Sequence, residues 1–491
     1  MGHWLKYALL LCDCLLARSD PLSPVVRRTG YNPRMAKFMA VLILLLAAAG
    51  GAWYVAGRAD PPAISIAEPA RLIGQSGNLE VTIVTPGGEL TRLDVALQQG
   101  AERISVFSLP GSEPARLARQ DVDRLHLTRP IGKREVPELE AGPLTVHVTA
   151  VRPVLFGLRE IESSAAHEVE VRLMPPQVGI ASQFHYINHG GSEMVVYRVR
   201  PADVDSGVRV GDYEYPGYPA TGAGVEAADP DLRVAFFALQ WDQDVKTPVS
   251  LYARDEVGNE ARASFDYRVF PKNFRNSRIE LNDRFLQKVV PEILYNSPEL
   301  KVENASDLLV SYLRINNDLR RENNARIAAM AHATAPEILW QGAFKQLTNT
   351  AVEAGFADQR SYLYDGEVVD RQVHLGFDLA STTNAPVRAA NNGRVVHAGW
   401  LGIYGNCVVL DHGMGVQSLY AHLSAVEVGV GDAVEKDARL GLSGETGLAG
   451  GDHLHFTMLL GGHAVTPIDW WSQQWIEDRI TRKLRQAAGA E

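Results

Sequence analysis

The sequence predicts a mainly β protein behind one N-terminal transmembrane helix. Two tandem β-sandwiches come first, then a helical connector, then a C-terminal antiparallel β domain. Three observations carry this. Residues 38–57 form an uninterrupted apolar run. Short alternating stretches broken by Gly, Pro and Asp fill residues 61–270 and return after about 340. Between them, apolar residues recur at helical spacing.

The apolar run "FMAVLILLLAAAGGAWYVAG" holds 20 residues and no charge, enough for a helix to cross the hydrocarbon core of a bilayer. Lys6, Arg18, Arg27, Arg28, Arg34 and Lys37 precede it. The positive-inside bias therefore puts residues 1–37 in the cytoplasm and everything after residue 58 outside. Trp53 and Tyr54 sit where an interfacial belt would. A cleaved signal peptide would share the small residues of "LAAAGG", but the run is long for one, so an uncleaved single-pass anchor in the cell (inner) membrane is expected. The earlier apolar run "YALLLCDCLLA" is too short to span, and "MAKFMAVLILLL" reads as a natural start, which makes Met35 a candidate first residue.

Composition excludes some functions. The net charge of −10 argues against a nucleic-acid partner. The three cysteines, Cys12, Cys14 and Cys407, form no disulfide framework.

"PPAISI" at 61–66 is echoed by "PPQVGI" at 175–180, which suggests a repeated domain start. The strands "NLEVTIVTP", "LTVHVTAV", "HEVEVRLM" and "EMVVYRVR" lie between and after. Residues 249–270, "VSLYARDEVGNEARASFDYRVF", resemble the closing hairpin of bacterial immunoglobulin-like modules. This predicts two immunoglobulin-like β-sandwiches, 61–174 and 175–270, without a catalytic constellation. His167-Glu168 lacks the second histidine of a zincin, because position 171 is Val. The helical connector spans 271–340, with Ser306 or Asp307 as a helix cap. The last domain spans 341–478, and 479–491 form a basic tail.

Seven of the 14 histidines fall between 374 and 463. Strand alternation puts His374 and Asp378 on the polar face of "VHLGFDL", with Gly376 leaving space between them. It puts His422 with Tyr420 on the polar face of "LYAHL", and His453 with His455 on that of "DHLHF". Four histidines and one carboxylate on matching faces suit a catalytic zinc site. Such a site takes three protein ligands and leaves further groups for proton transfer.

"HLGFD", "YAHLS" and "GGDHLHF" resemble the three signature motifs of the lysostaphin/LytM-type zinc metallopeptidases, which cut peptide cross-links in bacterial cell walls. "APVRAANNGRVVHAGW", "YGNCVVLDHGMGVQSLYAHLS", "VGVGDAVEKDARLGLSGETG" and "VTPIDWW" follow in the family's order, so the resemblance covers roughly 345–475. It implies a duplicated-hybrid-motif β domain and one Zn2+ held by His374, Asp378 and His455. His422 and His453 would be the catalytic pair: one takes a proton from the attacking water, the other stabilises the oxyanion, and either assignment fits the sequence. The implied partners are peptidoglycan stem peptides and cross-links, the lipid bilayer through the N-terminal helix, and a regulatory protein. The implied activity is endopeptidase action in wall remodelling or division, with the catalytic domain periplasmic or extracellular.

Four positions depart from the family pattern: Ala357 for Gly, Asp452 for Pro, Cys407 for an aromatic and Thr457 for Glu. They bear on groove detail rather than on the ligands. Two other functions fit parts of this pattern. A lipoyl-carrier or phosphotransfer domain shares the hairpin look of 426–447, but the first needs an exposed Lys at a hairpin tip, with Lys436 the only nearby candidate, and the second has no use for the His374–Asp378 pair. A non-catalytic LytM-type activator of other wall hydrolases would have lost ligands, whereas all five residues are present. The segments ahead of the domain are also placed to cover its groove.

Overall fold

A computed structural model describes residues 33–111, 117–225 and 229–489. The early run around Cys12 and Cys14 lies outside them. Strands account for 44% and helices for 21% of the protein, which is mainly β. The chain divides into two compact units, one of residues 1–70, 78–129 and 144–169, the other of 71–77, 130–143 and 170–491.

In the first unit, helix Pro33–Ala56 is exposed along its length. Its stretch Arg34–Ala56 is long and apolar enough to cross a membrane. One sheet has the order Ala63–Glu68, Gly77–Val84, Arg124–Ile131, Leu117–Asp121. Another runs Arg159–Val171, Gly142–Val154, Arg92–Gln99, Glu102–Leu109. Alternation is the reason these segments are strands. Leu79, Val81 and Ile83 on one sheet, and Val146 and Val148 on the other, are fully buried while their neighbours are not.

The second unit opens with two four-stranded antiparallel sheets built from Gln177–Ile180 through Glu260–Ser264. A bridging strand, Asn276–Glu280, then pairs in parallel with Asp358–Tyr364, which pairs in turn with Glu367–His374. Helix Asp283–Asn296 starts at Asn282, whose side chain accepts from Phe285 N. Helix Leu308–Arg314 starts at Asp307, whose carboxylate accepts from Val310 N. The C-terminal sheet is antiparallel in the order Ala351–Ala354, Phe377–Ala380, Leu454–Leu460, Val416–Leu423, Asn406–Asp411, Gly393–Trp400, Ala433–Val434.

One core runs from residue 187 to residue 480. Phe236 lies 6.4 Å from Trp340 and 5.9 Å from Trp470, ring to ring. The final helical segment also docks here: buried Lys483 donates to Glu193 Oε1 at 2.8 Å. The strands between residues 177 and 270 and the C-terminal sheet therefore share side-chain packing. Cys407 is fully buried in a smaller apolar cluster, where burial pushes its thiol pKa up.

Candidate metal centre

Residues 373–379 do not form the single strand that their alternation suggests. Glu367–His374 belongs to the three-stranded sheet and Phe377–Ala380 to the large one, with Leu375 and Gly376 between. His374 and Asp378 are still brought together. Gly376 is required there, because a Cβ would stand 2.6 Å from His455 Cε1 and Nε2. Asp378 and His455 are direct partners across neighbouring strands, and Ala421 is the next partner along the row.

His422 reaches the same place by a bulge. Ala421 and His422 together face Cys407 alone, and His422 takes φ +62°. The bulge undoes the alternation expected in "LYAHL". Tyr420 joins the core, 5.3 Å from the Phe456 ring, and its hydroxyl accepts from Ala390 N. His422 instead lies 5.8 Å from His455 and 4.9 Å from His453, ring to ring. His453 precedes the strand Leu454–Leu460 and is held by a bridge to Gly444.

Three donor atoms form a nearly equilateral triangle. His374 Nε2 and Asp378 Oδ1 are 2.9 Å apart, His455 Nδ1 and Asp378 Oδ1 2.9 Å, and His374 Nε2 and His455 Nδ1 3.0 Å. Among the described residues these three form a group able to hold a metal ion.

The surrounding hydrogen bonds fix which nitrogens carry protons. His374 Nδ1–H donates to the Gly355 carbonyl at 3.0 Å, so Nε2 keeps its lone pair. Thr457 Oγ1–H donates to the Leu375 carbonyl and must accept from His455 Nε2–H at 3.0 Å, so Nδ1 keeps its lone pair. Two lone pairs and a carboxylate oxygen thus converge within 3.0 Å. A bound cation would reconcile them. A tetrahedral zinc with bonds of ~2.0–2.1 Å separates its ligand atoms by about 3.3 Å, close to what is found. The donor set fits.

His422 Nδ1–H donates to the Thr446 carbonyl and His453 Nδ1–H to the Gly451 carbonyl, both at 2.8 Å. Both rings therefore turn Nε2 toward the cleft, and His453 Nε2 stands 3.5 Å from Asp378 Oδ1.

The electrostatics follow from burial and this crowding. Burial alone would raise the Asp378 pKa, but His374, His453 and His455 hold it well below the usual carboxylate range. Burial lowers His455 to about 4. Burial, reinforced by His453 and His455, keeps His422 well below the usual histidine range. Burial also acts against the charge on His453, but Asp378 outweighs it and raises that pKa.

Sequence reasoning missed Arg360, which donates to Asp378 Oδ2 at 3.1 Å and leaves Oδ1 for the triangle. The available signal was Asp358 and Arg360 at alternate positions of the strand Asp358–Tyr364. Two family departures also gain a structural setting. Ala357 takes φ +61°, a conformation that glycine adopts more readily. Asp452 accepts from Ser443 Oγ at 2.5 Å and from Asn384 N at 2.9 Å, tying two loops beside His453.

The histidines open into a cleft of about 810 Å³. Phe285 and Lys288 of helix Asp283–Asn296 line its other wall. Lys288 Nζ contacts Glu445 Oε2 at 2.6 Å and the Gly450 carbonyl at 3.2 Å, while Glu292 Oε2 accepts from Gly447 N at 3.3 Å. The helix is thereby strapped to the loop that carries the Thr446 and Gly451 carbonyls.

Residues 372–467 match peptidase family M23, a family of zinc metallopeptidases. The chain is 39% identical over 97 residues to the "DD-carboxypeptidase/endopeptidase Mpg" of Neisseria meningitidis, which covers 20% of this chain and 22% of that protein. It is 36% identical over 95 residues to the "Murein hydrolase activator EnvC" of Escherichia coli, covering 19% of this chain and 23% of that one. These matches span less than a quarter of each relative's length. The solved catalytic domain of the antimicrobial peptidase lysostaphin from Staphylococcus simulans aligns at 28% identity, over 27% of this chain and 98% of that one, with a TM-score of 0.23. The C-terminal part of the chain, residues 372–467, is a peptidase family M23 domain.

Proposed function

We propose that this protein is a membrane-anchored, zinc-dependent endopeptidase that hydrolyses peptide cross-links of bacterial peptidoglycan. The observation that carries the proposal is the convergence of His374 Nε2, His455 Nδ1 and Asp378 Oδ1, with the protons of both imidazoles committed elsewhere.

His374, Asp378 and His455 would hold the metal. When bound, it polarises the scissile carbonyl and brings the pKa of water to about 7. The chain's other groups handle protons. His422 and His453 are each fixed through Nδ1–H to a backbone carbonyl and present Nε2 to the cleft. One accepts the water's proton; the other donates to the developing oxyanion, and a proton then passes to the leaving amine. Gly355 and Thr457 orient the ligands, and Arg360 orients Asp378.

The name of the Neisseria relative supports a D-alanyl bond to a diamino acid as the target rather than a glycine bridge. The anchor lies within residues 34–56, and its apolar run from residue 38 is preceded by six Lys/Arg, Arg34 and Lys37 nearest; the reading puts the catalytic domain outside the cytoplasm. The second reading is a non-catalytic activator, which the likeness to EnvC raises without favouring it. The intact set of five residues weighs against it.

The test is incubation of purified sacculi with the detergent-solubilised full chain, alone or with a separate wall amidase. Cleaved cross-links from the chain alone support the endopeptidase. Products only in the amidase mixture, at a raised amidase rate, support the activator.

A further inference from the structure

Strands Gly142–Val154 and Arg159–Val171 are joined by a four-residue tip, Leu155-Phe156-Gly157-Leu158. Three consecutive tip residues are left-handed: Leu155 at φ +54°, Phe156 at +57° and Gly157 at +84°. A turn with positive φ at both central positions selects Asn and Gly, because a Cβ crowds the following carbonyl. Here a Leu and a Phe stand at those positions. The strain gains no packing in return, since Phe156 is fully exposed and Leu158 is 72% exposed. A solvent-facing tip has no physical reason to combine disfavoured residues with an unburied aromatic.

The base of the tip is fixed to the end of the apolar helix. Arg159 donates to the Trp53 carbonyl at 2.6 Å, and its guanidinium lies 5.3 Å from the Trp53 ring centroid. The approach is close enough that a Cβ on Gly57 would meet that guanidinium at 2.3 Å. Arg152 donates to the Asp60 carbonyl at 2.8 Å. Arg58 stacks on Tyr54 at 4.5 Å. Trp53 stands three residues before the helix ends at Ala56, about 4.5 Å along the axis. The junction therefore gathers aromatic rings, guanidinium groups and two exposed apolar side chains at one end of the span. This is the residue set of a bilayer interface: rings at headgroup level, arginines beside lipid phosphates, and apolar side chains among the upper acyl chains.

We propose that the Leu155–Leu158 hairpin tip inserts into the outer interface of the bilayer and makes a second membrane contact beside the helix. This rests on the reading of residues 34–56 as a membrane span. The occupant is lipid rather than protein because Arg159 ties the tip to Trp53 of the span itself.

The test uses the full chain with Cys12→Ser and Cys14→Ser, reconstituted in phosphatidylethanolamine/phosphatidylglycerol vesicles. An environment-sensitive fluorophore is attached at Phe156→Cys or, as a control, at Val122→Cys, an exposed site on another turn of the same unit. Nitroxide-bearing lipids serve as quenchers, and alkaline carbonate extraction reports on the span independently. The expected result is a blue-shifted label at 156, quenched at least twofold more by headgroup-proximal nitroxide than the label at 122, on a chain that resists extraction. Equal quenching at the two sites on a chain that resists extraction overturns the hairpin contact and leaves the anchor standing. A chain released by carbonate, with neither site quenched, overturns both. A blue shift at 156 without lipid quenching means that protein covers the tip, and also overturns the proposal.

Discussion

His374 Nε2 and His455 Nδ1 face each other at 3.0 Å, and neither nitrogen carries the proton that would make this a hydrogen bond. The arrangement depends on Thr457, which commits the proton of His455 to its far side while donating to Leu375. Thr457→Val keeps the shape but removes the acceptor, and frees His455 to take the other tautomer. The expected outcome is a 10–100-fold loss of zinc affinity, measured by competition with a chromophoric chelator, with Thr457→Ser restoring most of it. Unchanged affinity in the Val variant would remove Thr457 from the account.

Helix Asp283–Asn296 walls the cleft through Lys288 and Glu292. If this wall limits entry of cross-linked strands, Lys288→Ala combined with Glu292→Ala raises turnover of sacculi severalfold. Turnover of a short soluble peptide should change less. Equal or lower turnover on both substrates would mean that the helix is part of the binding groove rather than a gate.

The core shared by the second unit predicts that its C-terminal sheet depends on strands far upstream. Phe236 is 2% exposed and packs between Trp340 and Trp470. Phe236→Ala should destabilise the unit by about 3–5 kcal/mol. The Tm for loss of zinc-site structure should fall with it, although residue 236 is nowhere near the histidines in sequence. An unshifted Tm would mean that the two parts fold independently.

Asp469 titrates where acid stability can report on it. Burial raises its pKa to about 6, against the hydrogen bonds from Asn188 and Ser192, compared with 3.8 for the ordinary group. A folded-state pKa above the unfolded one stabilises the protein below the unfolded value. That stabilisation is lost as pH rises through the folded value. The native state is thus favoured at pH 4 relative to pH 7 by about 2 kcal/mol through this group. Asp469→Asn removes the dependence. The stability advantage of the native protein over the variant, followed by denaturant midpoints, should therefore shrink as pH rises from 4.5 to 7; a constant or widening difference would contradict the assignment.

The five histidine and carboxylate positions that the structure brings together were legible because each stands at a polar position of an alternating stretch of sequence, within motifs that resemble a known family. What alternation could not give is where it breaks. The stop at Leu375–Gly376 sends His374 and Asp378 to different sheets, and the bulge at His422 sends Tyr420 into the core. Both depend on pairing with distant strands. Arg360 was invisible for the same reason, whereas the helical connector was expected to lie ahead of the groove. Arg360 meets Asp378 through a sheet whose parallel edge pairs Asn276–Glu280 with residues about 80 positions later. The N-terminal apolar helix was legible from composition alone.

The central claim is that His374, Asp378 and His455 hold zinc while His422 and His453 move protons. The most direct test is to load the detergent-solubilised full chain with zinc, measure metal content, and digest purified sacculi beside His422→Ala and His455→Ala. The account predicts one zinc per chain and cleaved cross-links for the unsubstituted protein. It predicts retained zinc with activity lowered at least 100-fold for His422→Ala, and loss of both for His455→Ala. A fully zinc-loaded, unsubstituted chain that leaves the cross-links intact, or a His422→Ala chain that cleaves them at the normal rate, would contradict it.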